Sequence, residues 1–181
     1  HKAQQNTFVE KRLVKDKVAT ILFAKIRESA IIPSKEDENG GYDVYADLSA
    51  PVTNPQGILI LDPLLIKPNE IVLVPTGIAS SLLDKFRFIL KERGSTGTIG
   101  LSVRAGVVDS GYRGEWFVAL NNTSNKDIII TSDVNKVIEG ETAIYYPISK
   151  AIAQATLQEV PKVHVKEIPY DKLKEIPSSR G

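Results

Sequence analysis

Short apolar runs, rich in β-branched and aromatic residues, alternate with turn-forming segments along most of the chain. The runs include VATILFAKI, GYDVYADLSA, FRFILK, DIIITSD, TAIYYPIS and IAQATLQEV, and the segments between them contain Gly, Pro, Asn and Asp. Short runs bounded in this way are typical of β-strands. A helical period is not sustained anywhere, and SSLLDKF (80–86) is the best short candidate for a helix. Strands spaced roughly 8–12 residues apart predict an all-β sandwich or barrel.

The two ends of the chain are more polar than its middle. Residues 1–17 (HKAQQNTFVEKRLVKDK) are mostly charged or polar, and residues 171–181 form a second polar segment. We therefore predict an N-terminal extension over 1–17, one β domain over 18–170 and a C-terminal arm over 171–181.

Composition narrows the chemistry that the chain can perform. Of its 181 residues, 42% are hydrophobic and 25% are charged, which favours a folded domain with a core. The net charge of +1 argues against a large nucleic-acid footprint, and no apolar run is long enough for a membrane-spanning helix. Cys is absent and the two His, His1 and His164, are far apart, which disfavours disulfide, thiolate-metal and Ser–His–Asp chemistry. Carboxylates, hydroxyls, arginines and a hard cation remain, and without Cys or an export signal we expect a cytoplasmic protein.

The segment ERGSTG (92–97) follows the predicted strand FRFILK. Its glycines let backbone N–H groups approach an anion, Ser95 and Thr96 add hydroxyl donors, and Arg93 adds a charged fork that suits phosphate. Taken alone, this segment is better interpreted as an ordinary surface turn, and it lacks the Gly-Lys-Ser/Thr ending of a P-loop.

Two carboxylates lie beside turn-forming sequence. In GVVDSGYRGE an apolar run ends at Asp109, and Tyr112 follows in a Gly–Tyr–Arg–Gly turn. An Asp at a strand end either acts as a general base toward water or stabilises the turn itself. In NGGYDVYA, Asp43 follows a Gly pair, a placement that suits a water-mediated magnesium site or a simple hairpin. Taken singly, these stretches leave both interpretations open.

The order of the stretches is more informative than any one of them. GYDVYA, ERGSTG, GVVDSGYRGE, AIAQATLQ and the terminal SRG resemble, in this order, the five motifs of the trimeric deoxyuridine triphosphatases (dUTPases). The third stretch matches the family pattern G-V-[IV]-D-x-x-Y-x-G-[EN] without a break. The resemblance runs from about Ala19 to the end of the chain.

The chain departs from the family pattern in several motifs. The second motif usually reads Arg-Ser-Gly, and here residues 93–95 read Arg-Gly-Ser, slightly closer to Asp109 than in the family. Ala151 stands at the position of the Arg in the fourth motif, and only Arg180-Gly181 represents the Gly-rich fifth motif. The segment 121–150 is longer than in the plain family and resembles insertions of some bacteriophage members. We predict an enlarged insert there, either a surface loop or a contact for a regulatory protein partner.

The resemblance implies a distorted antiparallel jelly roll of the β-clip type, assembled as a homotrimer with shared active sites. It implies Mg²⁺-dependent hydrolysis of dUTP to dUMP and pyrophosphate, with water attacking the α-phosphorus. Such an enzyme keeps uracil out of DNA and supplies dUMP for thymidylate synthesis. The expected partners are dUTP and further copies of the chain, with no membrane or direct nucleic-acid partner, in a bacterial or phage-infected cytoplasm.

The resemblance also assigns roles to individual residues. Asp109 would orient and deprotonate the attacking water, and Tyr112 would lie against the deoxyribose and exclude a 2′-hydroxyl. Asp43 would lie near the metal through water, because the substrate phosphates supply most of the Mg²⁺ ligands. The resemblance implies that the main chain around Gly106 and Val107 recognises uracil. The other expected substrate-binding residues contact the phosphates: Arg93, Gly94, Ser95, Thr96, Gln154 and Arg180.

Three other functions fit less of the sequence. A dCTP deaminase on a similar scaffold needs a catalytic Glu where this chain has Ala119. A non-catalytic, nucleotide-sensing jelly roll has no need of the intact Asp109 and Tyr112, although an added regulatory role is compatible with them. An OB-like nucleic-acid-binding barrel needs a basic groove with exposed aromatic residues, which the balanced charge disfavours.

Overall fold

The computed structural model describes residues 18–135 and 142–180, so the predicted extension over 1–17 lies outside the described residues. Within the described residues, two short helices accompany the strands, α1 (Gly94–Gly97) and α2 (Tyr170–Lys174). The strands are β1 (Leu22–Lys25), β2 (Tyr42–Val44), β3 (Val52–Thr53), β4 (Leu59–Ile60), β5 (Leu64–Ile66), β6 (Ile71–Pro75), β7 (Ile78–Ser81), β8 (Phe86–Lys91), β9 (Leu101–Arg104), β10 (Val107–Asp109), β11 (Phe117–Asn122), β12 (Ile128–Thr131), β13 (Ile144–Pro147) and β14 (Ala153–Glu159).

These strands form several small sheets around one core. A four-stranded sheet has the order β10–β8–β14–β2, and two three-stranded sheets have the orders β6–β11–β9 and β13–β12–β5. The strands β1 and β7 form a two-stranded sheet, as do β3 and β4. The pairs among the described strands are antiparallel except for β12 with β13. The all-β class predicted from the sequence is therefore confirmed.

Alternation along β8 shows how the core is built. Phe88 and Leu90 are buried, whereas Arg87 and Lys91 project from the other face of the same strand. Phe88 also packs against the fully buried Trp116, with ring centroids 5.3 Å apart in an edge-to-face arrangement. One face of the four-stranded sheet thus covers the core, and the opposite face presents polar side chains.

Residues 80–86, the best short candidate for a helix, do not form one. Ser80 and Ser81 belong to β7, where they pair with β1, and the hydroxyl of Ser80 accepts a hydrogen bond from the indole N–H of Trp116 at 3.0 Å. Leu82, the next residue, is buried. Pairing with a distant strand and burial against the core outweigh the weak local helical pattern here.

The segments predicted as arm and insert have boundaries that differ from those expected. The last backbone bond from the body to the C-terminal segment runs from the N–H of Val160 to the carbonyl of Lys85, 2.6 Å long, and residues 161–180 are exposed. The arm therefore starts before the predicted residue 171. Asn121 and Asn122 end β11, so the insert begins after them and contains β12 and β13. Neither helix of residues 18–135 and 142–180 has the length and apolar character needed to cross a membrane.

A half-buried charge network joins three distant parts of the chain. The guanidinium of Arg27 donates from Nε to Asp47 Oδ2 at 2.7 Å and from Nη1 and Nη2 to the two Glu115 oxygens at 2.7 and 2.9 Å. The hydrogen bond to Glu115 raises the pKa of Arg27 above its already high ordinary value, against the effect of burial. Burial of the Asp47 carboxyl opposes its ionisation, but hydrogen bonds from Ser49, Arg27 and Ser29 outweigh this effect and lower its pKa.

We expect acid to destabilise the protein partly through Asp47. Because the folded-state pKa of this carboxyl lies below its ordinary value of 3.8, the unfolded chain binds the proton more readily as pH falls. The stabilisation is complete above the ordinary value and is lost as pH drops through the folded-state pKa. Urea unfolding between about pH 5 and pH 3 should show a falling free energy of unfolding, with a weaker slope for Asp47→Asn. An equal slope in both proteins would contradict this role.

Candidate functional site

One group of predicted site residues lies where β2, β14 and β8 run side by side. Gln154 in β14 is paired with Asp43 in β2 and with Lys91 in β8. The Gln154 side-chain amide donates to the carbonyl of Glu92 at 2.8 Å. Gly41 allows this packing, because a Cβ at that position would collide with the Gln154 amide oxygen. The strands therefore fix Gln154 at the end of β8, just before the loop that carries Arg93.

The loop after β8 forms the single helical turn α1. Arg93 precedes this turn, and its Nε lies 3.0 Å from Asp43 Oδ1, with both side chains about one-third exposed. Ser95 is half-buried, and a Cβ at Gly94 would meet only open space. We call Asp43, Arg93, Ser95 and Gln154 the Arg93 cluster.

Thr96 does not have the placement that the sequence predicted for a phosphate contact. Its side chain is completely buried. Its hydroxyl accepts the N–H of Arg93 at 3.0 Å and lies 3.2 Å from the Arg93 carbonyl, to which it donates. This hydroxyl closes the turn rather than facing a ligand, so its predicted substrate contact is corrected to a capping role.

Glu92 is a site neighbour that the sequence analysis did not single out. Its Oε1 accepts the backbone N–H of Val103 in β9 at 2.7 Å, and this bond lowers the pKa of Glu92. The ionised carboxylate thereby ties the end of β8 to β9. No local sequence signal identifies this contact, because it joins residues from separate strands.

The second group of predicted residues lies along β10 and the turn after it, and Asp109 in this group lies opposite Arg87 at the start of β8. Val107 and Asp109 are exposed on one face of β10, whereas Val108 is buried on the other. Gly106 lies against β8 so closely that a Cβ there would be 2.5 Å from the carbonyl oxygen of Leu90. The N–H of Leu90 also donates to the carbonyl of Gly106 at 2.7 Å. This close contact fixes the start of the strand that ends at Asp109.

The ring of Tyr112 is held against the turn that follows β10. Its backbone N–H donates to the Asp109 carbonyl at 3.2 Å, and its hydroxyl donates to the Glu115 carbonyl at 2.8 Å. Gly114 lies directly beneath the ring, since a Cβ there would be 2.6 Å from the Tyr112 hydroxyl oxygen. Tyr112 is nevertheless 45% exposed. We call Gly106, Val107, Asp109 and Tyr112 the Asp109 cluster.

Within one chain, Asp109 and Arg93 lie at opposite ends of β8. Asp109 lies opposite Arg87 at the start of β8, whereas Arg93 follows the end of the same strand. Arg87, which lies opposite Asp109, is six residues from Arg93, and six residues of extended chain span about 20 Å. Arg180 is exposed in the C-terminal segment, and its backbone N–H donates to Ser178 Oγ at 3.2 Å. The structure therefore brings together Asp43, Arg93, Ser95 and Gln154, and separately the residues around Asp109.

Few side chains in the described residues are placed to bind a metal ion. In residues 18–135 and 142–180, no group of three or more acidic or His side chains is arranged to hold an ion. Asp43 offers one partly exposed carboxylate beside Arg93. A cation at this position would need further oxygen ligands from a phosphate substrate and from water.

Comparisons with known proteins identify similar sequences and structures. The family model described as dUTPase matches residues 27–135. Deoxyuridine 5′-triphosphate nucleotidohydrolase of Treponema denticola is 33% identical over 113 residues, which is 60% of this chain and 70% of that protein.

Solved structures show the same fold. A point mutant of the Staphylococcus bacteriophage 80alpha dUTPase with dUpNHpp has a TM-score of 0.65 and 17% identity, covering 90% of this chain and 94% of that one. A mutant dUTPase of phage phi11 of S. aureus, studied for the coordination of a structural Mg(II) ion, has a TM-score of 0.61 and 15% identity, covering 82% and 96%. These likenesses confirm the predicted dUTPase-like β fold. Together with the family match over more than half of its length, they show that this chain belongs to the dUTPase family, the dUTP diphosphatases.

Proposed function

We propose that this protein hydrolyses dUTP to dUMP and pyrophosphate in a Mg²⁺-dependent reaction, with Asp109 as the base. The observation that carries the proposal is the Asp109 cluster. An exposed carboxylate ends the edge strand β10, and a partly exposed aromatic residue follows three residues later. Membership of the dUTPase family supplies the class of reaction, and this geometry supplies residues able to perform it.

Asp109 has the placement that a water-orienting carboxylate requires. It is exposed at a strand end, and β8 holds the strand on one side. In the proposed step, the carboxylate accepts a proton from water while the water oxygen forms a bond to the α-phosphorus. The bond from the α-phosphorus to its bridging oxygen breaks, and pyrophosphate leaves. Because an ordinary carboxylate is a weak base, Asp109 contributes mainly by positioning the water.

Recognition of uracil would use the free edge of β10. This strand is the outer member of its sheet, with β8 as its paired neighbour. The N–H and C=O groups on its other edge are available to a planar base near Gly106 and Val107. Main-chain groups at fixed positions discriminate bases by their donor and acceptor pattern, and a narrow slot excludes a 5-methyl group.

The Arg93 cluster would hold the triphosphate. Arg93 offers a charged fork, Ser95 a hydroxyl and Gln154 an amide, all at one end of β8. Asp43 fits a water-mediated contact to Mg²⁺ shared with the phosphates, and the bound ion would neutralise phosphate charge. The ion pair with Asp43 keeps Arg93 oriented before substrate arrives.

The offset of about 20 Å along β8 between Asp109 and Arg93 supports a site shared between copies of the chain. We propose that the Asp109 cluster of one subunit faces the Arg93 cluster of another in a homotrimer. Arg180 would reach the terminal phosphate from the exposed C-terminal arm. No single chain would then contain a complete site.

Shared sites predict complementation between inactive variants. Asp109→Asn and Arg93→Ala should each be inactive alone, because each lacks one half of every site. After subunit exchange in an equal mixture, about one quarter of the sites should combine intact halves and regain turnover. Pyrophosphate release measures this, with differently tagged subunits confirming mixed assembly. Mixed trimers that stay inactive would contradict the proposal.

Gly114→Ala should weaken discrimination against ribonucleotides. The added methyl would overlap the Tyr112 hydroxyl and ring edge, so the ring must move away from its present position. We expect the ratio of kcat/KM for dUTP to that for UTP to fall about tenfold, because the steric exclusion of a 2′-hydroxyl is relaxed. Gly111→Ala is a matched control, since its Cβ would enter open space. An unchanged ratio in Gly114→Ala would contradict the role of the ring.

A nucleotide panel tests the proposed function directly. With Mg²⁺, dUTP should release pyrophosphate, and dCTP, dTTP and UTP should not. Ammonia release from dCTP would indicate a deaminase, which the buried, uncharged Ala119 disfavours. Tight dUTP binding without product would instead support a nucleotide sensor.

A further inference from the structure

Resting on the proposed function, we propose that Tyr146 in the enlarged insert is a positioning residue that sets the hydrogen bond of Ser95 for phosphate binding. Tyr146 lies in β13, paired with Ile130 of β12, and only 4% of it is exposed. Its hydroxyl lies 2.5 Å from the Ala151 carbonyl and 3.3 Å from Ser95 Oγ. The insert thereby reaches the Arg93 cluster through one buried side chain.

The direction of these hydrogen bonds follows from the number of protons. A phenol has one O–H hydrogen, and a carbonyl oxygen can only accept. Tyr146 therefore donates its hydrogen to Ala151. The hydroxyl oxygen of Tyr146 is then the acceptor for Ser95, and Ser95 donates. The chain of bonds runs from Ser95 through Tyr146 to the backbone of Ala151.

These two hydrogen bonds connect two parts of the Arg93 cluster. Ser95 belongs to α1, whereas Ala151 leads into β14, which carries Gln154. A four-residue helix has little stability of its own, so tertiary contacts such as this one determine where its hydroxyl lies. To bind a phosphate oxygen, Ser95 would turn its hydroxyl hydrogen from Tyr146 to the ligand. Ser95 Oγ would already be in place, because Tyr146 has held it there before the ligand arrives. Tyr146 thus acts on the substrate through Ser95 rather than by contact.

Tyr146→Phe removes the hydroxyl and keeps the buried ring. We expect KM for dUTP to rise about five- to tenfold and the affinity for pyrophosphate to fall by a similar factor. Affinity for deoxyuridine, which has no phosphate, should be unchanged. In a double-mutant cycle, Tyr146→Phe should have no further effect once Ser95 is Ala. Tyr145→Phe, on the opposite face of β13, is the matched control and should keep wild-type affinities.

Calorimetry with pyrophosphate and deoxyuridine, together with steady-state kinetics, separates the outcomes. Reduced stability of Tyr146→Phe with unchanged pyrophosphate affinity, or additive effects with Ser95→Ala, would show a merely structural role and overturn the inference. If Tyr146→Phe does not fold, Tyr146→Trp offers an indole N–H to Ala151 but no acceptor to Ser95, and it should weaken pyrophosphate binding in the same direction; wild-type affinity in that variant would overturn the inference. A wild-type protein without dUTP turnover would instead refute the proposed function.

Discussion

Asp109→Asn should lower kcat for dUTP hydrolysis by about 10³-fold while leaving nucleotide binding nearly intact. The amide keeps the size of the side chain but cannot take a proton from the attacking water. Asp109 is exposed at the end of β10, so its replacement disturbs little packing. Pyrophosphate release at saturating dUTP measures kcat, and binding of a non-hydrolysable dUTP analogue measures affinity.

Asp84→Asn is the control for this substitution. Its side chain is 75% exposed and lies 3.1 Å from Lys162 Nζ, outside both clusters. We expect its turnover to match that of the wild-type protein. Retention of most activity by Asp109→Asn would remove the base from the mechanism, and loss of analogue binding would indicate that Asp109 holds the nucleotide instead.

The sequence predicts strands well where one face is buried. The run Phe86–Lys91 is β8 with the same bounds, because its alternation of buried and outward residues matches the pleat. The helical candidate over 80–86 had only a weak local pattern, and pairing of Ser80 and Ser81 with β1 decided the structure at its start. Contacts between distant strands leave no signal in the local sequence. The structure of a segment that depends on such contacts therefore cannot be predicted from its own pattern.

The same distinction applies to the site. Asp109 and Tyr112 belong to one continuous motif, and a short turn joins them in space. The capping role of Thr96 and the contact of Tyr146 with Ser95 depend on burial and on a strand from the insert. The separation of the two clusters follows from the length and register of β8 and β10, which motifs alone do not reveal. In the proposed function, assembly of several chains brings the two clusters together.

Glu115→Ala should cost about 3 kcal/mol of unfolding free energy. Glu115 follows the Tyr112 turn, and its carboxylate holds Arg27 by two hydrogen bonds while also lying 3.3 Å from the N–H of Gly77. Removing it leaves the guanidinium of Arg27, which is 21% exposed, with Asp47 alone. Urea denaturation measures the loss.

Two comparisons determine whether burial explains the effect. Glu175→Ala removes a carboxylate whose pair with Lys172 is 65–68% exposed, and it should cost less than about 0.5 kcal/mol. In Arg27→Met/Asp47→Asn/Glu115→Leu, neutral side chains replace all three charges of the network, and most of the stability should return because no unpaired charge remains. Equal losses for Glu115→Ala and Glu175→Ala would show that the network contributes no more than a surface pair. Since Glu115 also supplies the carbonyl that accepts the Tyr112 hydroxyl, a destabilised network should loosen the turn that presents the Asp109 cluster, linking fold stability to the site.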